Sequence, residues 1–196
     1  MRKLLIFLWR CLDPVYFHCT RLTYIQRGKN IFRVRLIHYK GRPVILTDGT
    51  TITKNDLLIK IHFHNVYLLP KLMAVTNEFQ KGRRFYQSVK HSLPGLARFL
   101  EAHPEKKRIK GLIGITALHL RTNSLGFETF EIKNPLYKKW KALSLLPIQY
   151  LSTGRLRSRK NAPGPVYFFM SKRVLIERYG SGQKLEDVMF GNRVSV

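Results

Sequence analysis

The sequence predicts an α+β fold, a single domain with a mixed sheet (N-terminal hairpins plus later strands) packed by several helices. Three observations predict it. Strand-length segments with period-two alternation occupy much of residues 32–64. The apolar residues of 71–100 recur instead at helical spacing. Hydrophobic residues make up 44% of 196, with 12 Phe and 9 Tyr, which is enough for a packed core at this length.

Each element follows from local chemistry. Residues 3–12 read as an amphipathic helix that Asp13-Pro14 stops, because the residue before proline avoids the α region. In Phe32-Arg33-Val34-Arg35-Leu36 the apolar side chains fall on one strand face and the arginines on the other. Lys40-Gly41-Arg42-Pro43 is a turn, Val44-Ile45-Leu46 a short strand, and Asp48-Gly49 a hairpin signal. Leu57, Ile59, Ile61 and Phe63 share one face of the next strand, with Lys60, His62 and His64 on the other. A helix is expected over 71–91, with a start or kink at Ser92-Leu93-Pro94. Residues 112–118 read as a strand buried on both faces, followed by a bend at Gly126 and a strand over 127–132. Asn134-Pro135 opens a basic, aromatic helix to about Leu146, and residues 152–165 form a loop. Val166–Met170 is a strand, and Ser171 caps a helix that stops at Gly180. The domain therefore covers 1–180, with a loosely held tail over 181–196.

Charge bounds the partners. Thirty-six Lys and Arg face 11 Asp and Glu, a net +25. Such a field attracts polyanions: an anionic lipid surface, an anionic envelope polymer, or nucleic acid nonspecifically. No helix-turn-helix, zinc-finger or RNP-type motif accompanies it. The N-terminal apolar run imitates a signal peptide only until Arg10 and Asp13, and no segment is long enough to span a bilayer. The expected location is cytoplasmic, peripheral on the inner face of the cell membrane. Cys11 and Cys19 fit no zinc spacing and read as reduced, partly buried thiols.

The candidate site is His62-Phe63-His64-Asn65. Residues i and i+2 of a strand point the same way, so two imidazoles are able to converge. His119 follows the inferred central strand; Thr116 offers a hydrogen bond and Asp56 stands near the first strand's start. If the two strands are neighbours, these residues share a cleft. Two strand histidines without an established third ligand assign no metal, and no motif names a cofactor. Arg155, Arg157, Arg159 and Lys160 form a basic loop suited to a phosphate or a carboxylated sugar. Two segments suit a membrane surface. Trp9 and Arg10 mark the first, and Lys138, Lys139, Trp140 and Lys141 the second.

Several stretches together resemble the YkoP-like family of bacterial proteins. They are Asp13-Pro14-Val15-Tyr16, Asn30-Ile31-Phe32-Arg33-Val34, the segment from Ile45 to Asn65, Leu93-Pro94-Gly95-Leu96-Ala97-Arg98-Phe99, and Leu125-Gly126-Phe127. The resemblance covers most of residues 5–180. It implies no established reaction. Similar domains fused to polysaccharide deacetylases imply a cell-envelope context and a polysaccharide-modifying enzyme as partner. Deacetylase chemistry does not carry over, since no Asp-Asp pair with matching histidines is present.

Three functions compete. The leading one is a peripheral membrane factor in envelope or spore-related metabolism that binds an anionic or carbohydrate-bearing ligand. The second is a transferase using a histidine as general base, which requires a deep pocket around the imidazoles. The third is a nonspecific nucleic-acid binder, which requires a basic groove with exposed aromatics.

Overall fold

The computed structural model describes residues 2–116, 122–154 and 164–181. Helix α1 (Arg2–Cys19) does not end at Asp13-Pro14. Pro14 removes one backbone hydrogen bond, but the second half of the helix is held from outside. Phe17 stacks on Tyr24 with ring centroids 4.6 Å apart, and Asp13 pairs with Arg33 at 2.5 Å. Tertiary contacts thus override the local stop signal. Cys11 and Cys19 are exposed on this helix rather than partly buried.

Strands β1 (Thr23–Tyr24) and β2 (Phe32–His38) follow. Strands β3 (Val44–Ile45) and β4 (Thr51–Ile52) make the hairpin at Asp48-Gly49 as a separate two-stranded sheet. Gly49 adopts φ 83°, where a side chain is strained. Strand β5 (Leu57–Phe63) then feeds helices α2 (Asn65–Met73) and α3 (Glu78–Ala102), which cross over to β6 (Ile109–Thr116), parallel to β5. Strand β7 (Glu128–Glu131), helix α4 (Pro135–Thr153), strand β8 (Val166–Ser171) and helix α5 (Lys172–Tyr179) complete the described chain. The main sheet runs in the order β1-β2-β5-β6-β8-β7. The fold is α+β, as expected.

Further boundaries moved as well. The helix expected over 71–91 is two helices, since α2 ends at Met73 and α3 starts at Glu78 behind the Asn77 cap. Helix α3 runs unbroken through Pro94. There Ser92 Oγ accepts from the Ile31 N–H at 3.2 Å, and the Ser92 carbonyl accepts from Asn30 Nδ2 at 2.9 Å. A Cβ at Gly95 would stand 2.7 Å from Asn30 Nδ2, so the glycine permits this close approach. Helix α4 extends to Thr153, past Leu146 and through Pro147. Strand β6 begins at Ile109 and its described part ends at Thr116. The Ser171 cap is as expected, with its Oγ accepting from the Val174 N–H at 3.0 Å. Gly126 turns at φ 87°, so Leu125-Gly126-Phe127 is a bend.

The sheet has two unlike faces. Phe32, Val34, Leu57, Ile59, Ile61, Leu112, Phe168 and Met170 bury themselves with α2, α3 and α5 in the larger core. On the reverse, Leu58, Ile113 and Phe169 pack beneath the β3–β4 hairpin with Tyr39, Leu46 and Ile52. The remainder of that reverse face is not apolar, and the candidate site lies there.

Candidate functional site

Register builds the site. In the antiparallel β2–β5 pair, Arg33 stands opposite His62 and Arg35 opposite Lys60. Like charges placed across strands are destabilising. This end of the sheet therefore gathers cations where the other end gathers apolar residues. Helices α1 and α4, which pack against each other and α2, lie over it.

A cavity of about 680 Å³ opens there, near the C-terminal ends of parallel β5 and β6. That is where ligands collect in folds with parallel strands. Its lining includes Arg33, Arg35, Lys60, His62, Asn65 and Thr116, with Asp13 and Tyr16 from α1 and Lys141 from α4. Trp9 and Trp140 line it as well.

Arg33 is 1% exposed. Its guanidinium pairs with Asp13 Oδ2 through Nη2 and lies 4.9 Å from the centre of the Tyr24 ring. Tyr16 Oη sits 3.3 Å from His62 Nδ1. His64 Nε2 is 3.7 Å from Asp13 Oδ2, too far for a hydrogen bond. The charge shifts titration strongly. Burial, then Lys60 and Arg35, push the His62 pKa down to about 3. Burial and Arg33 push His64 down to about 4. Both rings are neutral at pH 7. Burial, then Arg35 and Lys141, bring Lys60 down to about 8. Burial and Arg35 also lower Lys141.

Four buried nitrogens have no hydrogen-bond partner among the described residues: Arg33 Nε, Arg35 Nε, His62 Nε2 and His64 Nδ1. Unsatisfied buried polar groups are rare in folded proteins and costly. The arginine Nε atoms are donors. His62 Nε2 is a donor too when the Tyr16 hydroxyl donates to Nδ1. Arg35, Lys60 and Lys141 also lack a carboxylate partner among the described residues, since the nearby acids pair elsewhere: Asp13 with Arg33 and Glu78 with Lys81. Chemically, an acceptor with negative charge matches such a set of donors and cations. Among the described residues no group of three or more His, Cys, Asp or Glu is placed to hold a metal ion.

Of the residues expected in the cleft, His62, Asn65 and Thr116 line it, and His64 sits against Asp13 at its edge. Asp56 does not join them. It lies before the opposite end of β5, where it accepts from the Thr53 N–H at 2.6 Å and pairs with Lys110 at 3.0 Å. His119, Arg155, Arg157, Arg159 and Lys160 lie outside the described residues. Of the residues expected to face a membrane, Arg10 and Lys139 are exposed and Lys138 is half-buried. Lys141 instead turns inward, with its Nζ 4.3 Å from the Trp140 ring centre, and joins the cavity lining. Sequence reasoning missed Asp13, Tyr16, Arg33, Arg35 and Lys60 as members of the site. The available signal was two neighbouring strands that each carry cations on the polar face.

Among the described residues no helix is long and apolar enough to cross a membrane. Comparison with known proteins agrees with the resemblance read from the sequence. The YkoP domain model matches residues 2–179. A protein of Bacillus subtilis (strain 168), Uncharacterized protein YkoP, is 41% identical over 180 residues, covering 91% of this chain and 98% of that one. No solved structure matches. The chain belongs to the YkoP domain family.

Proposed function

We propose that this YkoP-family chain is a peripheral membrane-associated factor of envelope or spore-related metabolism, and that it holds an anionic ligand in the cavity beneath α1 and α4. One observation carries the reading: unpartnered buried donors and unpaired cations line the same cavity. A phosphate or carboxylate supplies acceptors for the donors and offsets the repulsion among Arg35, Lys60 and Lys141. The transferase reading asks for a base whose pKa lies near the working pH. Values of about 3 for His62 and about 4 for His64 favour hydrogen-bonding roles instead. The nucleic-acid reading asks for a continuous open groove, whereas this cavity is roofed by two helices.

The membrane part rests on exposed apolar side chains beside basic ones. Phe7 is 60% exposed on α1 and Trp140 is 59% exposed on α4. Each Lys or Arg near an anionic leaflet adds about 1 kcal/mol.

Two measurements test the proposal. Inorganic phosphate titrated at matched ionic strength is expected to raise the thermal midpoint and to move the His62 imidazole pKa upward in a proton NMR titration. Unchanged His62 titration at saturating phosphate rejects the ligand site. In flotation assays the protein is expected to rise with phosphatidylglycerol vesicles and to stay behind with phosphatidylcholine ones. Equal or absent binding to both removes the membrane part.

A further inference from the structure

The same cavity is built of two unlike parts. Lys141 and the strand cations form one. Along α4 the residues on the Lys141 side one and two turns later are Leu145 and Ile148, and both line the cavity. They lie about 6 and 10 Å further along the helix axis at 1.5 Å per residue. Leu69 and Leu72 of α2 line it too, and α2 packs against α4. A cationic, donor-rich compartment thus continues into an apolar one. Trp9 and Trp140, the chain's two tryptophans, line this cavity and come from the two helices whose apolar side chains face outward.

A small free anion meets only the cationic part of this lining and leaves Leu145 and Ile148, which are half-buried, uncovered. We infer that the ligand is a single-chain acidic lipid, with a phosphate-type head against Arg35, Lys60, His62 and Lys141 and an acyl chain running between α2 and α4. The inference rests on the anion-binding reading and narrows it to an amphiphile. The volume of about 680 Å³ is in the range of small-ligand sites and suits one head with one chain, not a whole two-chain lipid. The outward apolar faces of α1 and α4 bring the cavity to the surface from which such a molecule is taken.

The test uses the full chain and its own fluorescence, since both tryptophans report on the cavity. Glycerol 3-phosphate, 1-oleoyl lysophosphatidate and 1-oleoyl lysophosphatidylcholine are titrated separately, below micelle formation and at matched ionic strength. Each methylene removed from water tightens binding about fourfold, so burial of even four exceeds about a hundredfold. Lysophosphatidate is therefore expected to bind at least about a hundredfold more tightly than glycerol 3-phosphate, with a blue shift in tryptophan emission. Lysophosphatidylcholine, whose head carries a balancing cation, is expected to bind at least about tenfold more weakly than lysophosphatidate.

Two variants locate the site. Ile148→Gln is expected to weaken the lipid and leave glycerol 3-phosphate unchanged, whereas Lys60→Met weakens both. If glycerol 3-phosphate binds and the lipid binds no tighter, the lipid inference falls while the anion reading stands. If neither binds, both fall. If lysophosphatidylcholine equals lysophosphatidate, the acidic head plays no part and the inference is overturned. Lipid binding indifferent to both substitutions belongs to the basic exterior and overturns it equally.

Discussion

The two faces of the main sheet come from alternate residues of the same strands, yet they solve opposite problems. Phe32, Val34, Ile59 and Ile61 lie on one face and belong to the larger apolar core. Arg33, Arg35, Lys60 and His62, interleaved with them, point toward α1 and α4 and meet one another. The first face releases free energy by removing hydrocarbon from water. The second spends part of it by holding cations together with too few carboxylates. Its buried pair of Arg33 with Asp13 ties it to the helix that roofs it. That imbalance is the observation on which the proposed anion site rests, because strained or repulsive groupings cluster where function requires them.

Substitutions sharpen or break this contrast. The largest loss is expected on the cationic face. Asp13→Ala leaves Arg33 buried and unpaired, and such removals cost about 3–5 kcal/mol. Urea unfolding measures it, and a loss under about 1 kcal/mol would show that α1 does not depend on the pair. On the apolar face Leu96→Ala, at a fully buried position, is expected to cost about 2–5 kcal/mol. Phosphate affinity should be unchanged in that variant; a parallel drop in affinity would mean that the two faces are not separable.

Lys60→Met is expected to act in the opposite sense. It removes a half-buried charge that sits across from Arg35, so stability should rise by about 1 kcal/mol while anion binding weakens. A destabilised Lys60→Met would argue that the ammonium is satisfied in place and that the face is not frustrated.

The pH profile carries the same contrast. Below about 6.5 the unfolded chain protonates its histidines while folded His62 and His64 stay neutral. Stability therefore declines as pH falls from 6.5 toward about 4 and then about 3. At the alkaline end, folded Lys60 gives up its proton near 8 while the unfolded residue keeps it to about 10.5, so stability rises across that interval. His62→Gln should flatten the acid slope and Lys60→Met the alkaline one. Profiles that overlay the parent protein's would place these groups in solvent.

Much of the fold was legible because it depends on local periodicity. The alternation in 57–64, the Asp48-Gly49 hairpin, the Ser171 cap and the Gly126 bend are short-range features, and each appears where the residues indicate. Several of the misjudged boundaries involve prolines. Pro14, Pro94 and Pro147 all lie inside helices, and a local rule has no knowledge of the partners that hold the far side. For α1 these are Arg33 and Tyr24; for α3 they include Asn30 and Ile31. The site was half legible. His62, Asn65 and Thr116 were named from strand direction and position, whereas Asp56 was misplaced because it precedes the end of the strand opposite the cavity.

Composition and pattern alone determined that the protein is basic, that its strands carry one apolar and one polar face, and that helices follow the first sheet segment. These properties belong to single residues and their near neighbours along the chain. Only the tertiary structure decided that two basic strand faces pair in register, that a helix from residues far away roofs them, and that Lys141 turns inward. Burial and charge repulsion depend on distance in space. A row of cations is ordinary in water, and it becomes a candidate site only when the fold removes the water.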